Sequence, residues 1–211
     1  HENYQQYKSK KFFSDRVYIN KYIKYKNRTL SNFWKTNIIN ENLLPRKINF
    51  SKNILTVATN SQIVKNNQIF LGLKGKNFDG NLFADDAIKN NAKAAIVCNY
   101  NKSKNSNIFK VTNSLKTFSK ISSAIRKVSN INTIAITGSS GKTTFKDFLA
   151  LSLNKLSPTT YSKNSFNNKF GVPQSLFNIN LEDNFGVFEV GMDKKGEINN
   201  LSKLINPNVG V

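Results

Sequence analysis

The stretch Ile131-Asn-Thr-Ile-Ala-Ile-Thr-Gly-Ser-Ser-Gly-Lys-Thr-Thr-Phe-Lys146 decides the fold of this 211-residue chain. Its short apolar run, residues 134–136, predicts a buried strand that stops at a glycine-rich turn. After the turn, apolar residues recur at helical spacing and predict a helix face. These residues are Phe145, Phe148, Leu149 and Leu153. A strand, a glycine loop, a Lys-Thr pair and a helix in this order are typical of a phosphate-binding P-loop.

The residue types in the turn suit a bound phosphate. Gly138 and Gly141 allow backbone conformations that other residues avoid, and the N–H groups of the new helix point at the anion. Lys142 is expected to neutralise the β- and γ-phosphate oxygens, and the Thr143 hydroxyl to ligate Mg²⁺. The position six residues before the lysine is Ile136 where the general pattern has glycine, so the loop is a shorter variant. The predicted nucleotide-binding residues are Thr137, Gly138, Ser139, Ser140, Gly141, Lys142, Thr143 and Thr144.

The composition narrows the class of protein. The formal net charge is +20, but the lysines are scattered along the whole chain among many asparagines and isoleucines. This distribution indicates a solvated basic surface, and no RNA-binding, zinc-finger or helix-turn-helix pattern is present, so we predict no nucleic-acid partner. The alternative class is a non-enzymatic basic module whose nucleic-acid affinity collapses with salt and does not depend on Lys142.

The sequence also bears on the compartment. No run approaches the ~18 to 20 apolar residues of a membrane span, and no signal peptide is visible at the start. The single cysteine, Cys98, lies in an apolar run and excludes an internal disulfide; we expect a buried structural thiol. A reducing cytoplasm fits these features.

An α/β pattern occupies the first half of the chain after residue 52. Residues 29–51 are interpreted as a linker with a short helix near 30–34. Strands are predicted at residues 54–58, 68–73, 94–98 and 108–111. One helix face is predicted at Leu82, Phe83, Ala87 and Ile88, and a second helix, capped by Asn113-Ser114, carries Leu115, Phe118, Ile121, Ile125 and Val128. A small α/β domain over 52–129 therefore precedes the P-loop strand.

The second half continues as the start of a P-loop domain, residues 130–211, with a mostly parallel sheet. Strands are predicted at 158–161 and 185–190, helices at 174–178 and 196–204, and the entry to a strand at 206–211. The loop after the strand at 158–161 is shaped by Asn167, Asn168, Gly171 and Pro173. Glu189 ends its strand, and ligands bind at the carboxyl ends of strands in open α/β sheets, so we expect it to face one crevice with Lys142. Glu189 is expected to bind a metal ion or a water molecule; the alternative is a carboxylate that forms an ion pair or caps a helix.

Several motifs resemble, in order and spacing, those of the Mur ligase family, and within it the MurF type. They are Thr137-Gly-Ser-Ser-Gly-Lys-Thr-Thr144, Ser165-Phe-Asn-Asn-Lys-Phe-Gly-Val-Pro173, and Phe188-Glu-Val-Gly-Met192 followed by Gly196-Glu-Ile198. Upstream, Asn60-Ser61, Ile69-Phe-Leu-Gly-Leu-Lys-Gly75 and Phe78-Asp-Gly80 resemble the UDP-sugar-binding domain of that family. The resemblance covers about residues 52 to 211.

The resemblance implies an ATP-driven amide ligation with ATP and Mg²⁺ as cofactors. A carboxylate of UDP-MurNAc-tripeptide attacks the γ-phosphate of ATP, and the amine of D-alanyl-D-alanine then displaces phosphate from the acyl phosphate. The catalytic residues so implied are Lys142, Asn167, Asn168 and Glu189, with Thr143 and Glu189 on the metal. The substrate-binding residues so implied are Asn60, Ser61, Lys74, Gly75, Asp79, Gly80 and Glu2.

The chain departs from the family pattern at two places. Asp193-Lys194 stands where the family usually has Asn-His, and no histidine exists except His1. Asn60 and Gln62 stand where the family has Asp and Arg in its first-domain motif. The uridine-site prediction is weaker for that reason, although backbone contacts can survive such changes.

Residues 1–28 carry a second resemblance, through His1-Glu-Asn-Tyr-Gln and Phe13-Ser-Asp-Arg16, to the C-terminal end of a MurE-type ligase. Glu2 matches a glutamate that meets the incoming diamino acid there, so the chain is interpreted as the join of a MurE–MurF fusion. The alternative is a basic extension. Other Mur-type or folylpolyglutamate-synthase-like ligases share the P-loop, but Asn167-Asn168 and Gly-Glu-Ile favour the MurF type. The chain stops before the domain that would bind D-alanyl-D-alanine, so we expect residues 1–211 alone to be inactive.

Overall fold

The computed structural model describes residues 34–43, 56–75, 77–100 and 104–211, and these form two parallel β-sheets of four strands each. The expected α/β class with parallel sheets is confirmed. The first sheet has the order β1-β2-β3-β4. Its elements, with the helix before it, are α1 (Trp34–Asn42), β1 (Thr56–Ala58), β2 (Gln68–Leu71), a 3₁₀ turn (Gly80–Phe83), α2 (Ala84–Lys89), β3 (Ala94–Val97) and β4 (Ile108–Lys110).

The second sheet has the order β6-β7-β5-β8, so the P-loop strand β5 lies inside the sheet. Every pair is parallel, and β5 and β7 are in register from Asn132 opposite Phe185 to Ile136 opposite Glu189. The carboxyl ends of these two strands therefore meet at one edge. The remaining elements are α3 (Ser114–Ser129), β5 (Asn132–Ile136), α4 (Lys142–Asn154), β6 (Thr159–Tyr161), α5 (Gly171–Phe177), β7 (Phe185–Glu189), α6 (Glu197–Ile205) and β8 (Val209–Gly210).

Helix α3 joins the two sheets. Asn113 caps its first turn by accepting a hydrogen bond from the Lys116 N–H at 2.8 Å, as the sequence predicted, and Asn130 ends it in the left-handed conformation at φ 51°. Its apolar side packs against α1, α5, α6 and β2, and the Phe118 and Phe177 ring centroids lie 5.5 Å apart. The two sheets therefore share one hydrophobic core.

The linker interpretation of residues 29–51 is wrong for the part that the structure describes. Helix α1 occupies it, and Trp34, Ile38 and Ile39 are buried in the shared core. The sequence predicted only a short helix near 30–34, because the buried face of α1 also includes Lys35, which interrupts the apolar pattern. Burial lowers the pKa of Lys35 to about 8, with the charges of Asp183 and Glu182 opposing that shift. Residues 29–33 and 44–51 lie outside the described residues.

The helix after the P-loop forms as predicted, but its buried face differs from the prediction. Phe148 is 70% exposed and Phe145 is exposed as well, whereas Ala150 and the charged Lys146 are buried. Helix α4 packs on β6 and β7, and its rotation about its own axis turns Lys146 inward. Helix α5 also begins three residues before the predicted start, at Gly171, because the Asn168 side chain accepts hydrogen bonds from the Phe170 and Gly171 N–H groups, both at 3.0 Å.

The described helices include none long and apolar enough to cross a membrane.

Arg126 connects the end of α3 to the end of α6 and to β5. Its side chain is buried, and its Nε donates to the Ile205 carbonyl at 2.9 Å. Its Nη2 donates to the Thr133 hydroxyl at 2.7 Å and to the Asn206 carbonyl at 3.1 Å. Burial lowers the pKa of Arg126. One guanidinium thus satisfies polar groups at the end of α6 and on β5.

Arg126→Met should destabilise the protein by about 2–4 kcal/mol, because it leaves buried carbonyl groups without donors. The free energy of unfolding from urea titrations would measure the change. Lys127→Met is the matched control, because Lys127 is the exposed neighbour of Arg126. Its substitution should change the free energy of unfolding by no more than about 0.5 kcal/mol. Equal effects for both variants would contradict the anchoring role of Arg126.

Candidate functional site

The P-loop adopts the backbone that its glycines predict. Gly138 has φ 142° and Gly141 has φ 75°, both in the region that side chains disfavour. Gly141 is the N-cap of α4, so the free N–H groups of that helix open toward the loop. Ser139, Ser140 and Gly141 are exposed. The loop therefore presents backbone donors to the outside, as a phosphate site requires.

Lys142 lies over this loop. Its Nζ donates a hydrogen bond to the Gly138 carbonyl at 2.6 Å, and its side chain is half-buried. The Thr137 hydroxyl, on the other side of the loop, donates to the Val190 carbonyl at 3.2 Å, which ties the loop to the end of β7. The ammonium group is thus within the loop that would surround a phosphate.

Glu189 is the centre of the site. Its side chain is only 1% exposed, and each carboxylate oxygen has a neutral donor. The Thr143 hydroxyl donates to Oε2 at 2.8 Å, and the Asn167 Nδ2 donates to Oε1 at 2.8 Å. Two predicted site residues from separate segments, Thr143 and Asn167, therefore converge on the carboxylate of a third, Glu189.

The segment after β6, residues 162–170, forms the wall of the site opposite the P-loop. The Ser162 hydroxyl accepts from the Glu189 N–H at 3.2 Å, and the Ser165 and Thr143 hydroxyls lie 3.4 Å apart. The Asn167 carbonyl accepts from the Gly191 N–H at 2.6 Å. A Cβ on Gly191 would lie 2.9 Å from that carbonyl oxygen, so the close approach needs glycine.

Asn168, also a predicted site residue, has a different position from Asn167. Its side-chain oxygen caps α5, and its side chain does not meet Glu189 within the described hydrogen bonds. The capping contact shapes the backbone on which Asn167 is carried.

The donor set fits Mg²⁺. The described residues contain no cluster of three or more His, Cys, Asp or Glu side chains, so a cage made of protein ligands alone is not present among them. Mg²⁺ is commonly held by one or two carboxylates, waters and substrate phosphates. Glu189 and the Thr143 hydroxyl, beside a phosphate loop, supply that kind of site.

A second concave site lies at the carboxyl ends of β1 and β2. It is a pocket of about 340 Å³, within the size range of small-ligand sites. The Phe78 and Phe83 rings stack at its side with centroids 4.9 Å apart. The residues that line it are Thr59, Asn60, Ser61, Gln62, Phe70, Phe78, Gly80 and Phe83.

The predicted substrate residues divide between this pocket and its border. Asn60, Ser61 and Gly80 line the pocket, and the Asn60 side chain accepts from the Gln62 N–H at 2.9 Å. Lys74 and Asp79 instead form an isolated antiparallel bridge around the turn that holds Gly75. The Asp79 carboxylate is occupied by the Asn81 backbone N–H and side-chain amide. Glu2 lies outside the described residues.

The Asp193-Lys194 departure lies in the turn before α6. The backbone N–H groups of both residues donate to Glu197 Oε2, at 3.0 and 3.3 Å, and both side chains are exposed. Glu197, the first residue of α6, thereby holds the turn that precedes its helix. The substitution is compatible with this turn because the backbone makes the contacts.

Three polar residues around the site were not found by sequence reasoning: Ser162, Ser165 and Lys146. The serines lie in the same loop as Asn167 and Asn168, and a serine in a loop carries no spacing signal that would mark it as a site residue. Lys146 follows Lys142 by one helical turn, but the phenylalanines beside it suggested a different buried face. A lysine at a buried helix position can be recognised only after the helix is docked.

Comparisons with known proteins give consistent matches. A family profile described as the Mur ligase middle domain matches residues 136–211. The UDP-N-acetylmuramoyl-tripeptide–D-alanyl-D-alanine ligase of Buchnera aphidicola subsp. Baizongia pistaciae is 33% identical over 164 residues, which are 76% of this chain and 35% of that protein.

Solved structures agree. Crystal structure II of MurF from Acinetobacter baumannii superimposes with a TM-score of 0.75 at 28% identity, over 84% of this chain and 39% of that one. MurF ligase from Thermotoga maritima, in complex with ADP, gives a TM-score of 0.66 at 30% identity, over 73% of this chain and 36% of that one. The chain spans about a third of the length of the curated relative. On its fold, its motifs and these matches, the chain belongs to the Mur ligase family.

Proposed function

We propose that the protein containing this chain is an ATP-dependent ligase that joins D-alanyl-D-alanine to UDP-MurNAc-tripeptide in peptidoglycan precursor synthesis. The observation that carries the proposal is the convergence of Thr143 and Asn167 on the buried Glu189 carboxylate beside the P-loop. The names of the matched relatives supply the substrates. The ADP complex of the Thermotoga maritima structure supports a nucleotide at the P-loop.

The arrangement suits the first chemical step. The substrate carboxylate oxygen forms a bond to the γ-phosphorus of ATP, and the bond from that phosphorus to the β,γ-bridging oxygen breaks, with ADP as leaving group. Such transfers need positioning and charge neutralisation more than covalent help. The N–H groups at the start of α4 and the Lys142 ammonium would surround the phosphates. Glu189 and Thr143 would hold Mg²⁺, which neutralises charge on the β- and γ-phosphate oxygens when bound.

We assign residues 52–129 to UDP-MurNAc binding and residues 130–211 to ATP binding. The separate four-stranded sheets support this division, because the first has a pocket at its strand carboxyl ends and the second has the P-loop and Glu189 there. The exposed Phe78 ring at the first pocket offers an aromatic face to a nucleobase, so we place uridine there. The MurE–MurF fusion stays a prediction, because the residues that resemble a MurE-type ligase lie outside the described part of the chain. A cytoplasmic location also stays a prediction.

Lys142→Ala in the complete protein should lower ligation turnover about 100-fold or more, because the transferred phosphoryl group loses its side-chain cation. Phosphate release and formation of UDP-MurNAc-pentapeptide would be measured with ATP, UDP-MurNAc-tripeptide and D-alanyl-D-alanine. Lys155→Ala, an exposed lysine at the other end of α4, is the control and should keep normal turnover. Near-normal ligation by the Lys142 variant, or none by the unaltered protein, would overturn the assignment.

Glu189→Gln should raise the Mg²⁺ concentration for half-maximal turnover by about tenfold, because the amide keeps the shape but loses the charge that attracts the cation. The measurement is a Mg²⁺ titration of turnover at saturating ATP. Asp193→Asn is the matched control on the same edge of the sheet, since its side chain is exposed. An unchanged Mg²⁺ requirement in the Glu189 variant would remove the metal role.

Phe78→Ala should raise the KM for UDP-MurNAc-tripeptide about 3- to 10-fold with little change in kcat, because the pocket loses a stacking face far from the reacting carboxylate. Stability should change little, since the Phe78 ring is largely exposed. Leu82→Ala removes a similarly exposed apolar side chain from the neighbouring 3₁₀ turn and serves as control. Equal KM values in all three proteins would exclude uridine from this pocket.

A further inference from the structure

Lys146 is a buried cation that the proposed phosphate chemistry does not use. It lies one helical turn after Lys142 on α4, with 0% of its side chain exposed. The two lysines serve different segments: Lys142 Nζ meets the Gly138 carbonyl, whereas Lys146 Nζ donates to the Asn164 carbonyl at 2.7 Å. Lys146 is therefore directed at the 162–170 segment and not at the P-loop.

The burial of this ammonium needs an explanation, because a buried charge is costly unless it is paired and hydrogen-bonded. Its described partners are the Asn164 carbonyl and the Asp147 carboxylate, 3.0 Å away, whose side chain is 49% exposed. Its neighbours on the buried side of α4 are Leu149, Ala150 and Leu153, which pack together with strands β5 and β7. An apolar residue would fill this position without the desolvation cost, so packing alone does not account for a lysine.

The carbonyl group that accepts this hydrogen bond belongs to residues 162–170, the segment that carries the site residues Ser165 and Asn167. Asn164 has φ 51°, a left-handed conformation that turns the chain immediately before Ser165. Ser165 and Asn167 follow, and they contact Thr143 and Glu189. A hydrogen bond from Lys146 to the Asn164 carbonyl thus fixes the start of the turn whose next residues reach the carboxylate.

The rest of the segment has few other anchors near this point. A hydrogen bond from the Phe166 N–H to the Lys163 carbonyl, at 3.2 Å, closes the turn on itself. Among the described hydrogen bonds, Ser162 and Asn167 are the residues that tie the segment to β7 and to Gly191 just after it. Residues 163–165 are exposed on their outer side. Two described contacts join the middle of this turn to the P-loop helix: the 2.7 Å hydrogen bond from Lys146 to the Asn164 carbonyl, and the longer 3.4 Å approach of the Ser165 and Thr143 hydroxyls.

We infer that Lys146 is a positioning residue, whose buried ammonium holds the Asn164 turn against α4 and so sets Ser165 and Asn167 relative to Thr143 and Glu189. The expected effect on kcat rests on the proposed function. The expected effect on the position of the turn does not depend on the substrate. Lys146 acts through the loop, because its ammonium group donates to the Asn164 carbonyl and not to the P-loop.

The test compares Lys146→Met with Lys155→Met in the complete protein. Methionine keeps the length and apolar stem of lysine but removes the donors, and Lys155 is the exposed lysine at the end of the same helix. We expect Lys146→Met to lower kcat about 10- to 100-fold with the KM for ATP within about twofold, because a misplaced site residue affects turnover more than nucleotide binding. Lys155→Met should match the unaltered protein.

Hydrogen–deuterium exchange supplies a readout that does not depend on activity. Amides of residues 163–167 should exchange faster in Lys146→Met, whereas those of α4 and β7 should be unchanged. A lysine that merely stabilised the helix would speed exchange throughout α4 instead. Normal kcat together with unchanged exchange of residues 163–167 would overturn the inference.

If Lys146→Met does not fold, Lys146→Arg replaces it, because arginine keeps the charge and N–H donors that can reach the Asn164 carbonyl. A folded Lys146→Arg in which kcat and the exchange of residues 163–167 either both change or both stay normal supports the inference, and one in which only one of them changes contradicts it. Absence of ligation in the unaltered protein would remove the proposed function, while the exchange result would still decide the role of Lys146.

Discussion

The buried carboxylate of Glu189 is the interaction on which the rest of the site depends. A carboxylate that is 1% exposed must have donors for both oxygens, and Thr143 and Asn167 supply them from opposite walls. These contacts fix the distance between the P-loop helix and the 162–170 segment. In the proposed function, the Glu189 carboxylate and the Thr143 hydroxyl oxygen are the groups that would hold Mg²⁺.

Parallel strand order makes this meeting possible. Strands β5 and β7 are adjacent and in register, so the residues that follow them emerge at the same edge, and β6 adds its own loop on the other side. Each crossover helix returns the chain to the opposite edge before the next strand begins. Arg126 then joins α3, β5 and the end of α6 through one buried guanidinium. The core that supports the site is therefore continuous with the core of the first sheet.

The two sheets give the chain two concave sites with different character. The P-loop site is formed by backbone donors, a lysine and a buried carboxylate, which suits phosphates and a cation. The first-sheet pocket has stacked aromatic rings and small polar residues, which suits a nucleobase and its sugar. The proposed ligase reaction would need both kinds of site, one for ATP and one for a nucleotide-linked peptide. That requirement is consistent with the family to which the chain belongs.

The sequence by itself determined the local features of this protein. The glycine turn, the strand before it, the helix after it and the Asn113 cap follow from the preferences of nearby residues. The position of Glu189 at the end of its strand was also predicted, because parallel strands end at one edge of the sheet. The tertiary structure alone decided which face of α4 is buried, that α1 packs into the core, and that Asn168 caps a helix while Asn167 meets Glu189. These outcomes depend on helix rotation and docking between distant segments, which local periodicity does not encode. Lys146 shows the difference: its spacing is visible in the sequence, but its burial and its contact with Asn164 exist only once the helix and the loop are packed together.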